Sequence, residues 1–365
     1  MQTVETFYQK YAHLVQSLVL IAAFLPGFSA LSQGADAASL QEDRLSRLAS
    51  LTIDMDPSFA AGDTMEAREE QEAVRAEGPC LPLHTVEGNG GHFSVMTAYI
   101  TNPAAPGELL GKPSLGFIHV DLNHGKHLEA FTITETLLDR FELGYAYNVL
   151  DVGDLYEDFN NLLGTPGAIG GHAIHMHNFN ARVQIFKEGE FDQSWLPAIT
   201  VGAHYKINDD LDDVEADMDA VVPGFFRNTV GIKDDSGVDY TLFASKMLTF
   251  LPRPLIVSLG ARSTEAAHIG LLGFTGHRQI VAEGGLCFMA TDNLVFAAEY
   301  RQKPNTYDTP PGTEDVLAQE DDWWTVDAGY LVNSQLSLAV GYGHFGHLLN
   351  HTANRGFGVA IKYEF

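Results

Sequence analysis

The sequence predicts an all-β chain, an antiparallel meander β-barrel that crosses a membrane with about 12 strands, preceded by a short N-terminal periplasmic segment. Three observations point there. The last ten residues, 356–365, alternate strictly, with Phe357, Val359, Ile361, Tyr363 and Phe365 on one face and Gly358, Ala360, Lys362 and Glu364 on the other. Alternating runs of the same kind, separated by turns, recur from about Gly91 onward. Mean hydropathy is close to zero, as expected when an apolar outer face and a polar lumen average out along each strand.

Residues 1–37 read as an export signal. Lys10 supplies the positive region, Leu18 to Leu25 the apolar run, and Ala35-Asp36-Ala37 a small-x-small cleavage site before Ala38. A permanently anchored helix is the competing reading, but the run is short for a hydrocarbon core of about 30 Å and Pro26-Gly27 interrupts it. Glu5 and the long polar lead are unusual in a signal and fit a translation start further downstream. Residues 38–90 form a periplasmic linker or helix together with a plug segment: Leu40, Leu45, Leu48 and Leu51 have amphipathic spacing, and the acidic run 66–72 reads as solvated surface.

Residues 91–365 are expected to make the transmembrane barrel. Phe141, Leu143, Tyr145, Tyr147 and Val149 form an apolar face opposite Glu142, Gly144, Ala146 and Asn148. Ile199, Val201, Ala203, Tyr205 and Ile207 repeat the pattern, as do Leu255 to Ala261, Trp324 to Val332 and Leu336 to Tyr342. Connections alternate in length, short at 251–254, 291–293 and 333–335, long at 209–237, 264–276, 304–321 and 346–355. If the last strand ends in the periplasm, every one of those long loops falls outside, the asymmetry of outer-membrane barrels. About 13 runs are countable, and such barrels use even numbers. Either the run at 92–101 is not a wall strand, giving 12, or a further strand lies upstream, giving 14.

With the apolar face outward, Glu142, Arg182, His204, Lys206, Glu283, Glu299, Arg301, Asp327, Lys362 and Glu364 point into the lumen, and Asn178, Asn180, Arg182 and Gln184 make a polar stripe on one strand. Mixed charge in a barrel this narrow either lines a constricted path or pairs across the interior. Inward glycines at 144, 202, 260, 329, 341 and 358 leave room for a plug or a solute. The only cysteines are Cys80, ahead of the barrel, and Cys287, on the inward parity of its strand, and a disulfide between them would pin the segment around Cys80 inside the lumen.

Other chemistry is poorly supported. His172, His175 and His177 invite a metal reading, but His175 and His177 share a face with Phe179, Ala181, Val183 and Ile185, which is the lipid side, and no carboxylate or cysteine within the motif completes a ligand set. No metal or cofactor is therefore expected. The acidic stretch 208–219 lacks the glycine and ligand register of a calcium loop and reads as solvated surface. His92-Phe93-Ser94 has the His-x-Ser spacing of outer-membrane phospholipases, whose pair works on lipid from the outer face, but the Asn-Gly that follows the serine there is Val95-Met96 here. The reading is that the protein is not an enzyme, with a lipid hydrolase using His92 and Ser94 kept as a minor alternative. The chain has no Cys-x-x-Cys-His, P-loop or dinucleotide fingerprint, and a net charge of −27 argues against nucleic acid.

The stretches "LHTVEGNGGHFSVMTAYITNP", "FTITETLLDRFELGYAYNVLDVGDL" and "HMHNFNARVQIFKEGEF" resemble a family of bacterial outer-membrane proteins known only as a domain of unknown function, over about residues 80–365. The terminal strand resembles that of porin-like Gram-negative barrels, where a closing aromatic such as Phe365 serves as the signal to the barrel-assembly machinery. These resemblances imply the bacterial outer membrane as location, with its lipid and lipopolysaccharide as surroundings. The function expected is passive passage of small solutes through a narrow lumen lined by Arg182, His204, Lys206, Glu283, Glu299, Asp327, Asn178 and Asn180, with acidic loops favouring cations or neutral molecules. The alternative is a closed structural or assembly barrel without transport.

Overall fold

The computed structural model describes residues 83–171, 173–307, 320–348, 351–352 and 355–365. The expected signal segment, most of the linker, Cys80 and His172 lie outside the described residues. The wall is built of β1 (Ser114–Asp121), β2 (Lys126–Leu137), β3 (Phe141–Val152), β4 (Ile174–Phe186), β5 (Ala198–Asn208), β6 (Ser236–Leu248), β7 (Leu255–Thr264), β8 (Gln279–Met289), β9 (Leu294–Arg301), β10 (Trp323–Leu331), β11 (Leu336–His344) and β12 (Gly356–Glu364). Each strand pairs antiparallel with its neighbours in sequence, and β12 closes on β1 from Phe357↔Asp121 to Glu364↔Ser114. The barrel is thus a twelve-stranded closed meander. Its one register shift is a bulge between Gln184 and Phe186, where β4 meets the start of β5.

The side-chain pattern is the inverse of a soluble protein. Along β12, Phe357, Val359, Ile361 and Tyr363 are 55, 40, 42 and 39% exposed, whereas Gly358, Ala360, Lys362 and Glu364 are buried. Leu242, Leu259, Ile280, Phe296, Val326 and Val340 continue the apolar belt around the wall. In water so large an apolar surface would drive association; in lipid it is the stable outer face, with Tyr300, Trp324 and Tyr342 at one rim and Tyr330, Tyr363 and Phe365 at the other. This is a membrane-spanning β-barrel of the outer-membrane type.

The wall begins at Ser114 and not at Gly91. Residues 92–101 contribute no wall strand, the alternative that gives 12 rather than 14. Outside, β3–β4 is bridged by a loop carrying α1 (Leu155–Leu163) and β5–β6 by one carrying α2 (Leu211–Val221). The acidic stretch around Asp212 is therefore only half solvated: α2 turns Leu211, Val214 and Met218 inward, onto an apolar cluster shared with α1, Phe225, Phe226, Leu271 and Leu272. That cluster runs down into the outer half of the lumen through Leu128, Leu150, Val86 and Phe93.

Candidate functional site

Residues 83–101 occupy the lumen. Leu83–His84 pairs antiparallel with Gly90–Gly91, and the intervening turn is tied by Thr85 N–H to the Asn89 carbonyl (2.9 Å) and Gly88 N–H to the Thr85 carbonyl (2.9 Å). Gly88 sits at φ +77°, in the left-handed region that favours glycine. A second tight turn follows, closed by His92 N–H on the Val95 carbonyl (3.0 Å) and a bridge between Gly91 and Met96. The first turn carries Glu87 and the second carries Ser94, so both point acceptors or donors sideways into the wall.

The wall answers with its inward polar residues. The Glu87 carboxylate receives Arg262 through two bonds (2.7 and 2.9 Å), Lys206 (2.7 Å) and Arg301 (3.1 Å). Asp239 bridges Lys206 (2.6 Å) and Arg262 (3.1 Å), and Glu283 accepts from Arg262 Nε (2.6 Å). Three cations thus face three carboxylates, and Glu87, Lys206, Asp239 and Arg262 have side chains wholly shielded from solvent. Charges are tolerated at such burial only when paired and hydrogen-bonded. Asn178 and Asn180 donate to the Glu87 carbonyl (3.1 and 2.8 Å), Asn148 donates to the Val86 carbonyl (2.8 Å), and the Asn89 amide lies 3.2 Å from His204 Nε2.

Two further anchors hold the rest of the segment. Glu299 accepts from the backbone N–H of Ser94 and Val95 (3.1 and 2.9 Å), from the Ser94 hydroxyl (3.0 Å) and from Thr325 (2.6 Å). Nearer the periplasm, Arg182 forks onto Glu142 (2.7 and 2.8 Å) and donates to the carbonyls of Thr97 (2.5 Å) and Tyr99 (2.9 Å), while Glu142 accepts from the N–H of Gly90 (3.2 Å) and Thr101 (2.6 Å). Glycines make the seat. A Cβ on Gly144 would stand 2.0 Å from the Gly88 carbonyl oxygen, and Cβ atoms on Gly341 and Gly358 would press within 2.9 and 3.0 Å of the Phe93 ring.

Each sequence-derived lumen residue is inward and buried, but Arg182, His204, Lys206, Glu299, Asn178 and Asn180 contact the inner segment where a water-filled path had been expected, and Glu283 is joined to it through Arg262. Asp327 is buried beside a smaller recess on the periplasmic side, lined also by His92, Tyr99 and Cys287. Lys362 pairs with Glu364. Sequence reasoning missed Glu87, Asp239 and Arg262. Arg262 lies on the inward parity of β7, with Ile256, Ser258 and Gly260, so carrying that alternation further would have found it. Glu87 sits in a turn, where no periodicity marks it.

One alternative does not hold. His92 and Ser94 are buried inside the barrel, and the Ser94 hydroxyl is given to Glu299, so the pair does not face lipid as a phospholipase dyad would. Residues 92–95 form a turn, to which strand parity does not apply. His175 and His177 do find carboxylates, from the loop after β5: His175 Nδ1 lies 2.8 Å from Asp210 and His177 Nε2 lies 2.9 Å from Asp209, with Tyr145 on the other nitrogen of His177. They fasten that loop to the outer end of β4. Cys287 is buried on the inward side of β8.

On the extracellular side the inner segment leaves a recess. A cavity of about 50 Å³ lies between Val86 and Phe93 below, β1–β3 and β10–β12 at the sides, and the loop residues Ile269, Leu271, Phe345 and Leu348 above. The roof is braced by Glu320, which contacts Lys303 Nζ (2.6 Å) and His268 Nε2 (2.9 Å). Burial would raise the Glu320 carboxyl, but the charges of His268 and Lys303 overcome it and hold the group at about 2. Burial lowers His268 itself.

A search of curated proteins finds no match. Among solved structures the chain is similar to a KdgM porin (TM-score 0.41, 11% identity, 69% of this chain and 99% of that one). It is similar also to the outer membrane phospholipase A from Escherichia coli (0.31, 10%, 69% and 92%), and to an outer-membrane channel from Pseudomonas putida F1 (0.36, 11%, 72% and 98%). These likenesses are of general barrel form and assign no activity. The model of the family described as Protein of unknown function (DUF3034) matches residues 82–362, and the chain belongs to that family.

Proposed function

We propose that the protein is a plugged channel, closed at rest by residues 83–101, through which small solutes pass when that segment shifts. One observation carries the reading. The occluding segment is held by side-chain hydrogen bonds and ion pairs and shares no strand ladder with the wall, apart from a single bridge between Leu110 and Leu137 beyond its end. Its release therefore costs polar contacts but leaves the twelve-stranded ladder intact. Long acidic outer loops would favour cations or neutral solutes at the mouth.

Single-channel recording on the refolded full chain in planar bilayers tests this. The expected trace is a closed baseline with brief openings that lengthen in dilute urea. A second reading, a closed structural barrel, is favoured by the charge balance of the buried cluster around Glu87, which leaves no lone charge to favour undocking. A silent bilayer from a barrel that is heat-modifiable on a gel would decide for that second reading.

A further inference from the structure

The periplasmic rim carries the most exposed aromatic side chains of the described residues. Phe250, Trp195 and Phe191 are 79, 71 and 69% exposed. Phe191 and Trp195 belong to the β4–β5 loop, 187–197, the longest periplasmic connection in the wall, and Phe250 belongs to the β6–β7 turn. The turns on the other side of the barrel, 290–293 and 332–335, contain no aromatic residue. The strands show the reverse distribution. At this rim β8, β10 and β12 present Phe288, Tyr330, Tyr363 and Phe365 outward, whereas β4–β7 end in Ile185, Ile199, Leu248 and Leu255. Rings at headgroup level form a girdle around the whole of such a barrel. The loop rings therefore stand on the arc where the wall has none of its own.

The loop that carries them is braced from both sides. Glu190 accepts from Arg140 of the β2–β3 turn and from the backbone N–H of Lys187 (2.9 Å). Glu188 accepts from Lys246 (2.7 Å) and the N–H of Met247 (3.1 Å), and Lys246 donates also to the Ser194 carbonyl (2.6 Å). Phe191 is held at φ +62°, a left-handed backbone that a bulky residue rarely adopts. Strain maintained in this way marks a side chain that is used where it stands. Its ring meets Phe186, the last residue of β4, edge-on at 6.3 Å, so apolar surface continues from the lipid-facing wall into the loop. The Trp195 indole N–H donates to the Gln193 side chain (2.9 Å), so the ring can enter an apolar boundary without an unpaired donor. A contiguous apolar patch of this kind marks a contact surface, and here it is continuous with the surface that already meets lipid.

We propose that the β4–β5 loop is a membrane anchor, seated by Phe191 and Trp195, together with Phe250, in the headgroup boundary of phospholipid in the periplasmic leaflet. Glu188 of the same loop accepts from the Tyr99 hydroxyl, so the anchored loop also meets the end of the inner segment, but anchoring does not depend on whether the lumen conducts. The test uses the full chain carrying Trp323→Phe and Trp324→Phe, which leaves Trp195 as its one tryptophan, refolded into phosphatidylcholine vesicles. Lipid brominated near the glycerol end of its chains should quench Trp195 more than lipid brominated near the terminal methyl. Aqueous acrylamide should reach the ring far less than in the urea-unfolded chain. Adding Phe191→Ser and Phe250→Ser should lower the shallow quenching about twofold or more, since two of the three rings that hold the loop are gone. If the double tryptophan variant fails to refold, the difference in quenching between wild type and Trp195→Phe reads the same quantity. Free access of acrylamide with no quenching by brominated lipid would place the loop in water and overturn the proposal. Protection from both quenchers would also overturn it, in favour of a contact between copies of the chain.

Discussion

Glu87 is the group whose loss should unseat the inner segment. Its carboxylate is the only one of the three in the buried cluster that belongs to the segment, and it meets Arg262, Lys206 and Arg301 at 2.7, 2.7 and 3.1 Å. Glu87→Gln keeps the shape but leaves three cations against Asp239 and Glu283, with solvent excluded from Lys206 and Arg262. Removing one partner of a buried ion pair typically costs about 3–5 kcal/mol. Because the wall ladder does not involve Glu87, that cost falls on docking and not on the barrel. The ratio of docked to undocked segment should drop by a factor of roughly 10²–10⁴. Two assays read it: time spent open in planar bilayers, and hydrogen exchange of the amides from 85 to 97, both of which should rise. Combining Glu87→Gln with Arg262→Gln should cost less than the two changes added, since each removes the charge the other strands. Unchanged openings and unchanged exchange in a heat-modifiable Glu87→Gln barrel would refute the reasoning.

Arg182→Met should loosen the periplasmic end, because it strands the buried Glu142 and frees the carbonyls of Thr97 and Tyr99; exchange should rise from 97 to 101 more than from 85 to 89. Gly144→Val should yield a closed wall with a displaced segment, since its Cβ would stand 2.0 Å from the Gly88 oxygen, and its currents should exceed those of wild type. Acid should open the roof of the recess. Glu320 is depressed to about 2 from an ordinary 4.5, so its stabilisation is complete above 4.5 and is lost as pH falls toward 2, about 3 kcal/mol in all. Trp323 fluorescence, followed in a variant lacking Trp195 and Trp324, should report that step, and Glu320→Gln should remove it.

The wall was legible because a strand in a barrel states its two environments in alternate residues. β12 shows this plainly: lipid selects Phe357, Val359, Ile361 and Tyr363, while the interior accepts Lys362 and Glu364 only because they pair. The inner segment was not legible by that means. Leu83 to Met96 folds as two tight turns, so Glu87 and Ser94 are placed by loop geometry, which no alternation in the sequence marks. α2 was hidden for another reason. Its acidic residues dominate the composition, and the apolar positions Leu211, Val214 and Met218 are too few to announce a helix by period.

Inward polarity alone does not distinguish a pore from a seat, because a polar side chain facing the lumen is equally served by water or by protein. Small residues beside amides separate the two. In a water-filled lumen an inward glycine next to Asn180 gains nothing, since water fits around any side chain. In an occluded lumen that glycine is needed, for the Gly88 carbonyl must approach Gly144 closely enough for Asn180 to reach the carbonyls of Glu87 and Gly88 at 2.8 and 3.1 Å. The same logic pairs Gly341 and Gly358 with the Phe93 ring. Restoring side chains at these glycines, one at a time, therefore asks of the lumen what its charges leave open. An open pore would narrow and conduct less, whereas a seated plug would be pushed out and conduct more.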